Sequence, residues 1–265
     1  EAAAARHTQE GEEYVKKLAY YHDVLKPEVL NSINPSRDLD FVPIQFHIVR
    51  QDDGSGGLDE DQLWPVLESV NSSYSEGGNV YFYHPNEVAY INSSQYYVCD
   101  NTGELDALRW YNGSSGVLDI YFVEDATASN FGSICGISSF TNDSIEGIVI
   151  VNGGWGLSDG TAQHEIGHYF DLYHTHQTPI EYVNGDYCTY RGDGLCDTPA
   201  DPDLSEPGHV NSSCSYTGSN LNPPVTDGYG QLFDDCQGYE PCELYGGPDT
   251  RNWVNYNLYD GCTDH

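Results

Sequence analysis

The chain has 265 residues and carries 42 Asp plus Glu against nine Lys plus Arg, a formal net charge of −33. That balance excludes a basic footprint for nucleic acid and an electrostatic grip on anionic membranes. Aromatic residues at 13%, with 22 tyrosines, exclude a disordered chain, and no apolar run approaches the roughly 18 residues needed for a membrane span.

Residues 1–40 read as a separate N-terminal helical arm or leader remnant. EAAAAR and EEYVKKLAYYHDVL favour helix, and Pro27 and Pro35 break it. No apolar leader opens the chain, so any signal peptide is expected to have been removed already. From residue 41 the pattern changes. Val42 to Val49 reads as a strand, and Gln51 to Gly57 as a turn-rich loop. Asp59 to Tyr74 reads as a helix with Leu63, Val66, Leu67 and Val70 on one face; Pro65 fits if the first turn starts near Asp61. Asn79 to His84 alternates like a strand, Glu104 to Trp110 is a short helix, and Val117 to Val123 is a strand. Gly147 to Asn152, GIVIVN, is apolar and β-branched and predicts another. Strands alternating with helices point to an α/β arrangement for residues 41–174. Residues 175–265 are rich in Gly, Pro, Asn and Cys, and disulfides or metal are expected to hold them.

Between these parts lies HEIGHYFDLYH, His164 to His174. Ser158 or Asp159 can cap a helix in which Ala162, Ile166 and Phe170 recur at helical spacing. His164 and His168 then share a face, so both imidazoles can reach one ion, and Glu165 can hold a metal-bound water. His174 offers a third nitrogen. Three protein ligands leave the fourth position open, the mark of a catalytic rather than a structural zinc. The bound water becomes acidic, and Glu165 can take its proton as it attacks a carbonyl. His174 is off the shared face, so the helix must stop and turn through a left-handed residue. Asp171 is among the few non-glycine residues that tolerate this. In the rival reading the helix runs on and Asp171 itself is the third ligand. His22, His47, His84 and His176 lack ligand spacing, and no GxSxG motif supports a serine hydrolase.

Eight cysteines and Asn-x-Ser sequons at Asn71, Asn92, Asn112, Asn142 and Asn211 favour a secreted, disulfide-bonded glycoprotein. Gly192 to Asp203, GDGLCDTPADPD, has four aspartates and a threonine, the oxygen-rich chemistry that calcium takes, without EF-hand spacing. A solvated acidic turn is the simpler reading of the same residues.

Several strings together resemble the pappalysin family of metzincin metallopeptidases, over most of Phe41 to Cys262. HEIGHYFDLYHT resembles that family's HExGHxxGLYHT. GDGLCDTPA resembles GDxVxDTPA, VPIQFHIV and LDIYFVE resemble family strands, and NWVNY (Asn252 to Tyr256) resembles the NxMxY turn beneath the zinc. The resemblance implies a metzincin-like α+β fold, with a twisted mixed sheet and an active-site helix above a loop-rich, disulfide-tied lower subdomain. It implies zinc on His164, His168 and His174, Glu165 as general base and Tyr256 as oxyanion donor, cutting a peptide or protein substrate. It implies calcium near Asp193, Asp197 and Thr198. It also implies the pairs Cys188–Cys214 and Cys242–Cys262, leaving Cys99 with Cys135 and Cys196 with Cys236. The chain departs from the family in Asp171 for glycine, in Val254 for methionine, and in stopping at His265 before the usual C-terminal helix. Those departures motivate an alternative: a weakened or inactive scaffold with an extracellular binding or structural role. A precursor blocked by residues 1–40 is a third expectation.

Overall fold

Alternation decides the first strand. Ile44, Phe46 and Ile48 bury one face of β1 (Asp40–Arg50), while Gln45, His47 and Val49 are buried on the other. The computed structural model describes residues 40–141, 143–153, 157, 160–177, 179–236, 238–245 and 247–248. The rest of the expected N-terminal arm lies outside them, as do Asn142, Ser158, Asp159, Val254, Tyr256 and Cys262.

The helix expected over Asp59 to Tyr74 begins as a 3-10 turn at Glu60–Gln62, with the Asp59 side chain accepting from the Asp61 amide. It continues as α1 (Leu63–Gly77). Pro65 sits in the first helical turn, where its missing N–H costs nothing. Then come β2 (Val80–Tyr83), β3 (Ala89–Asn92), α2 (Ser94–Tyr97), β4 (Val98–Cys99), α3 (Thr102–Asn112) and β5 (Leu118–Val123). β6 (Asp125–Ala128), β7 (Gly132–Ser133), β8 (Gly136–Ser138), β9 (Ile148–Val151) and α4 (Thr161–Tyr169) follow.

The main sheet runs β2-β1-β5-β9-β8, with β3 also against β1. Every pairing in it is parallel except β8 with β9. β5 and β9 are buried throughout, and apolar but for Asp119 and the Tyr121 hydroxyl, because both faces are covered. Leu63 and Val70 of α1 and Ala162 and Ile166 of α4 pack on one face, and Leu105 and Leu108 of α3 on the other. Each fully buried Ile, Leu or Phe there stabilises by about 1.5–3 kcal/mol, so this layer fixes α4 against the sheet. The second sheet is small, β4-β6-β7. After α4 the described chain is mostly turns, with 3-10 turns at Cys188–Tyr190 and Gly218–Asn220 and one short helix, α5 (Glu240–Tyr245). Val183, Ala200, Phe233 and Cys242 form its small core.

Two expectations are corrected here. The first is the cysteine pairing. Cys188 bonds Cys196 and Cys236 bonds Cys242, each with Cα atoms 5.1 Å apart. Local loops thus bring together cysteines that the resemblance had matched with distant ones. Cys214 is also disulfide-bonded. Cys99 and Cys135 are free. Cys99 is in register with Ala126, whose carbonyl accepts from the Ile134 amide, so β6 separates the two segments. Two strand spacings are about 9–10 Å, beyond the roughly 7 Å that a disulfide bridges.

The second is Asn71. It is buried, its Nδ2 donating to the Phe82 carbonyl at 2.9 Å and its Oδ1 accepting from the Phe82 amide at 2.7 Å. This amide ties α1 to β2 and is closed to a glycan. Asn92 is exposed, while Asn112 and Asn211 are half-buried.

Candidate metal centre

α4 starts after Gly160, which stands at the N-cap in place of the Ser158 or Asp159 expected there and brings no side-chain cap. Gly160 has φ 97° and its carbonyl accepts from the His164 amide at 2.8 Å. Ala162 to His168 are all buried. The helix ends as the sequence demands of it. Tyr169 is its last residue, and Asp171 takes the left-handed conformation at φ 64°. The Leu172 amide reaches back to the Gly167 carbonyl at 3.0 Å, and the Asp171 amide to the His168 carbonyl at 2.9 Å. These two bonds make a Schellman ending, with aspartate in the place glycine usually takes.

The turn swings His174 back onto the face of His164 and His168. His164 Nε2 lies 3.2 Å from His174 Nε2, and His168 Nε2 lies 3.0 Å from each of the others. Bonds of about 2.0–2.1 Å at tetrahedral angles put ligand nitrogens about 3.3 Å apart, so one zinc-sized ion fits. The protons point the same way. His168 Nδ1 lies 2.7 Å from the Leu172 carbonyl, which can only accept. Nδ1 therefore carries the hydrogen and Nε2 presents its lone pair to the cluster. Burial, reinforced by the neighbouring imidazoles, pushes His174 down to about 2. Burial also lowers His168, against the opposing pull of the Leu172 carbonyl. These rings are neutral at ordinary pH, the form that ligates metal.

Asp171 does not join them. Its carboxylate is exposed and accepts from the Thr141 amide at 2.9 Å and the Thr141 hydroxyl at 2.5 Å, which holds it below the usual carboxylate range. His176 stacks on His174 with ring centroids 5.0 Å apart. His47 pairs with Asp119 at 2.6 Å inside the sheet, and His84 Nε2 accepts from the Phe46 amide at 3.2 Å. Among the described residues, His164, His168 and His174 are the group of three or more ligating side chains close enough to hold an ion.

Glu165, next to the first histidine, is 6% exposed. Burial pushes its carboxyl up to about 8, with the Arg109 guanidinium working against that rise. It faces β8. A Cβ on Gly136 would lie 2.8 Å from both Cγ and Oε1 of Glu165, so only glycine lets this strand approach the carboxylate. No sequence motif marked Gly136. β8 ends the sheet order, leaving an edge beside the histidines.

The lower segment packs beneath this turn. The Thr175 hydroxyl donates to the fully buried Asp201 at 2.5 Å, one residue beyond the third imidazole. Asp193 and Thr198 come together, the Thr198 hydroxyl donating to Asp193 Oδ2 at 2.8 Å. Asp197 is exposed. The buried Glu181, absent from the sequence expectations, joins them. Burial and then the Asp193 charge push it up to about 8. Nothing local in its sequence announces it.

The described fold and site fit what is found among known proteins. A mutant promirolysin of Tannerella forsythia superposes with a TM-score of 0.51 at 16% identity, over 94% of this chain and 82% of that one. The fold is metzincin-like α+β. An extracellular metalloprotease of Sordaria macrospora is 36% identical over 101 residues, 37% of this chain. That match spans 30% of the relative's own length. No family model matches the chain. Part of the sequence thus resembles an extracellular metalloprotease, the structure shares the fold of promirolysin, and the three histidines could hold a metal ion.

Proposed function

We propose that this chain is a secreted zinc endopeptidase. The observation that carries the reading is the convergence of three Nε2 atoms within 3.2 Å, with Glu165 between two of them and facing an edge strand. The pappalysin-like strings and the 101-residue match to an extracellular metalloprotease support it.

His164, His168 and His174 would hold the zinc, which would supply a Lewis acid for the scissile carbonyl and make water a nucleophile at neutral pH. The rest falls to the chain. A substrate strand adds to β8, the last strand of the sheet among the described residues, through backbone hydrogen bonds, and this lays its carbonyl over α4. Glu165 takes a proton from the attacking water on its carboxylate and passes it to the leaving amine nitrogen. The C–N bond breaks, and one water is consumed per bond cut. Tyr256, outside the described residues, is the proposed oxyanion donor. Calcium is the proposed partner of Glu181, Asp193 and Thr198, with Asp197 at their margin. Two buried carboxylates, one raised by the charge of the other, support a cation there. The disulfides and the remaining sequons support secretion.

Glu165→Ala should reduce peptide cleavage by at least about a thousandfold while leaving zinc content, measured by mass spectrometry, unchanged. A wild-type protein that cuts nothing in a broad peptide library, with zinc and calcium supplied, sinks the reading.

A further inference from the structure

The third-ligand turn does not end in solvent. Asp171 grips Thr141 twice, through the amide at 2.9 Å and the hydroxyl at 2.5 Å. Thr141 lies in the loop that leaves β8, the edge strand that Glu165 faces. That loop is itself closed. The Phe140 amide donates to Asp143 Oδ2 at 2.8 Å, and the Asp143 amide to the Phe140 carbonyl at 2.9 Å. The Phe140 ring packs against His168 and Tyr173, with ring centroids 5.5 and 5.3 Å away. One short loop thus touches a candidate ligand and the turn that carries the next.

We propose that Asp171 and Thr141 form a positioning clamp that sets the third-ligand turn and the substrate-edge strand β8 in one fixed relation. The proposal rests on the metal-centre reading above. A glycine at 171 satisfies the left-handed backbone but has nothing to give Thr141. The aspartate accepts a small conformational cost and gains two hydrogen bonds, one charge-assisted at each oxygen. It acts through its neighbours and touches neither substrate nor metal. Its consequence is mutual. Zinc binding stiffens the β8 loop, and a strand seated on β8 stiffens the ligand turn.

The variants are Asp171→Gly, which keeps the turn and removes the clamp, Thr141→Val, which keeps the size and removes the hydroxyl, and Asp171→Asn, which keeps an acceptor. Zinc affinity is read by competition with a chromogenic chelator, and KM and kcat are read separately. Deuterium exchange of residues 139–144 is read by mass spectrometry on the metal-free full chain. Asp171→Gly should speed exchange at Thr141 by at least about tenfold. It should weaken zinc on the order of ten- to a hundredfold and raise KM more than it lowers kcat, with Asp171→Asn recovering part of each. Thr141→Val should follow Asp171→Gly in zinc affinity and KM. Wild-type exchange, zinc affinity and KM in Asp171→Gly overturn the clamp even where the wild type is an active zinc enzyme. Fast exchange in Asp171→Gly, together with a wild type that binds no zinc, keeps the clamp as a structural tie and sinks only the peptidase reading.

Discussion

At the scale of single residues, the catalytic candidate was legible and its support was not. HExxH places Glu165 beside a ligand by helix geometry alone. Nothing local marks Gly136 as the residue that makes room for it, because the contact is between a strand and a helix far apart in sequence. The same holds for the Leu172 carbonyl that fixes the His168 tautomer. Gly136→Ala tests this contact. Its φ is unremarkable for any residue, so the only obstacle is the Cβ, which would meet Glu165 Cγ and Oε1 at 2.8 Å. The carboxylate must move or the edge strand must lift. Displacement of a catalytic group by about an ångström costs on the order of a hundredfold in kcat/KM. We expect that loss with zinc content unchanged, measured by steady-state kinetics and metal analysis on the same sample. Full activity in Gly136→Ala would show that Glu165 is held some other way.

At the scale of elements, strong periodicity was readable and short pieces were not. The strands at Val42 to Val49, Val117 to Val123 and Gly147 to Asn152, and the helices over Asp59 to Tyr74 and Glu104 to Trp110, all appear within a few residues of their expected limits. β3, β4, β6, β7 and β8 have two to four residues each, too few for a repeating pattern. They matter most for the cysteines. Cys99 sits on β4 and Cys135 follows β7, so the strand between them, β6, decides their state. Cys99 is buried, and burial pushes its thiol up to about 12. Cys135 is exposed, though burial of its sulfur and the Glu165 charge also raise it. A thiol must ionise and be reached to react. In the native protein at mildly alkaline pH, a disulfide-exchange reagent should therefore label Cys135 slowly and leave Cys99 untouched. Denaturant should release the second thiol. No reactive thiol in denaturant would mean that the two are bonded and that the strand order is wrong here.

At the scale of the whole molecule, composition announced an acidic, disulfide-tied lower half, but not what joins to what. Pairing depends on how each loop folds back, and here short loops close Cys188–Cys196 and Cys236–Cys242, cysteines that the resemblance had assigned to more distant partners. The charge of −33 also leaves a question that the fold answers in part. Glu181 and Asp193 are buried together; burial and then the Asp193 charge raise Glu181, and burial, with a smaller push from Asp197, raises Asp193. A carboxyl whose folded pKa lies above its unfolded value keeps a proton that the unfolded chain gives up. Its contribution is present below the unfolded value and is lost as pH rises through the folded one. For Glu181 that window runs from 4.5 to about 8. Metal-stripped protein should therefore lose thermal stability between about pH 5 and pH 8. Surface repulsion among the other carboxylates acts in the same direction, but at 0.15 M salt it is screened beyond about 8 Å. Glu181→Gln isolates the share of this carboxyl, because it removes one buried charge and leaves the surface unchanged. The proposed calcium site needs the deprotonated pair, so added calcium should raise Tm strongly at pH 8, weakly at pH 5, and little in Glu181→Gln at either. A calcium effect that survives Glu181→Gln undiminished places the ion elsewhere, and a pH dependence that survives it undiminished belongs to other groups, the buried Glu165 and Asp193 or the surface, and not to Glu181.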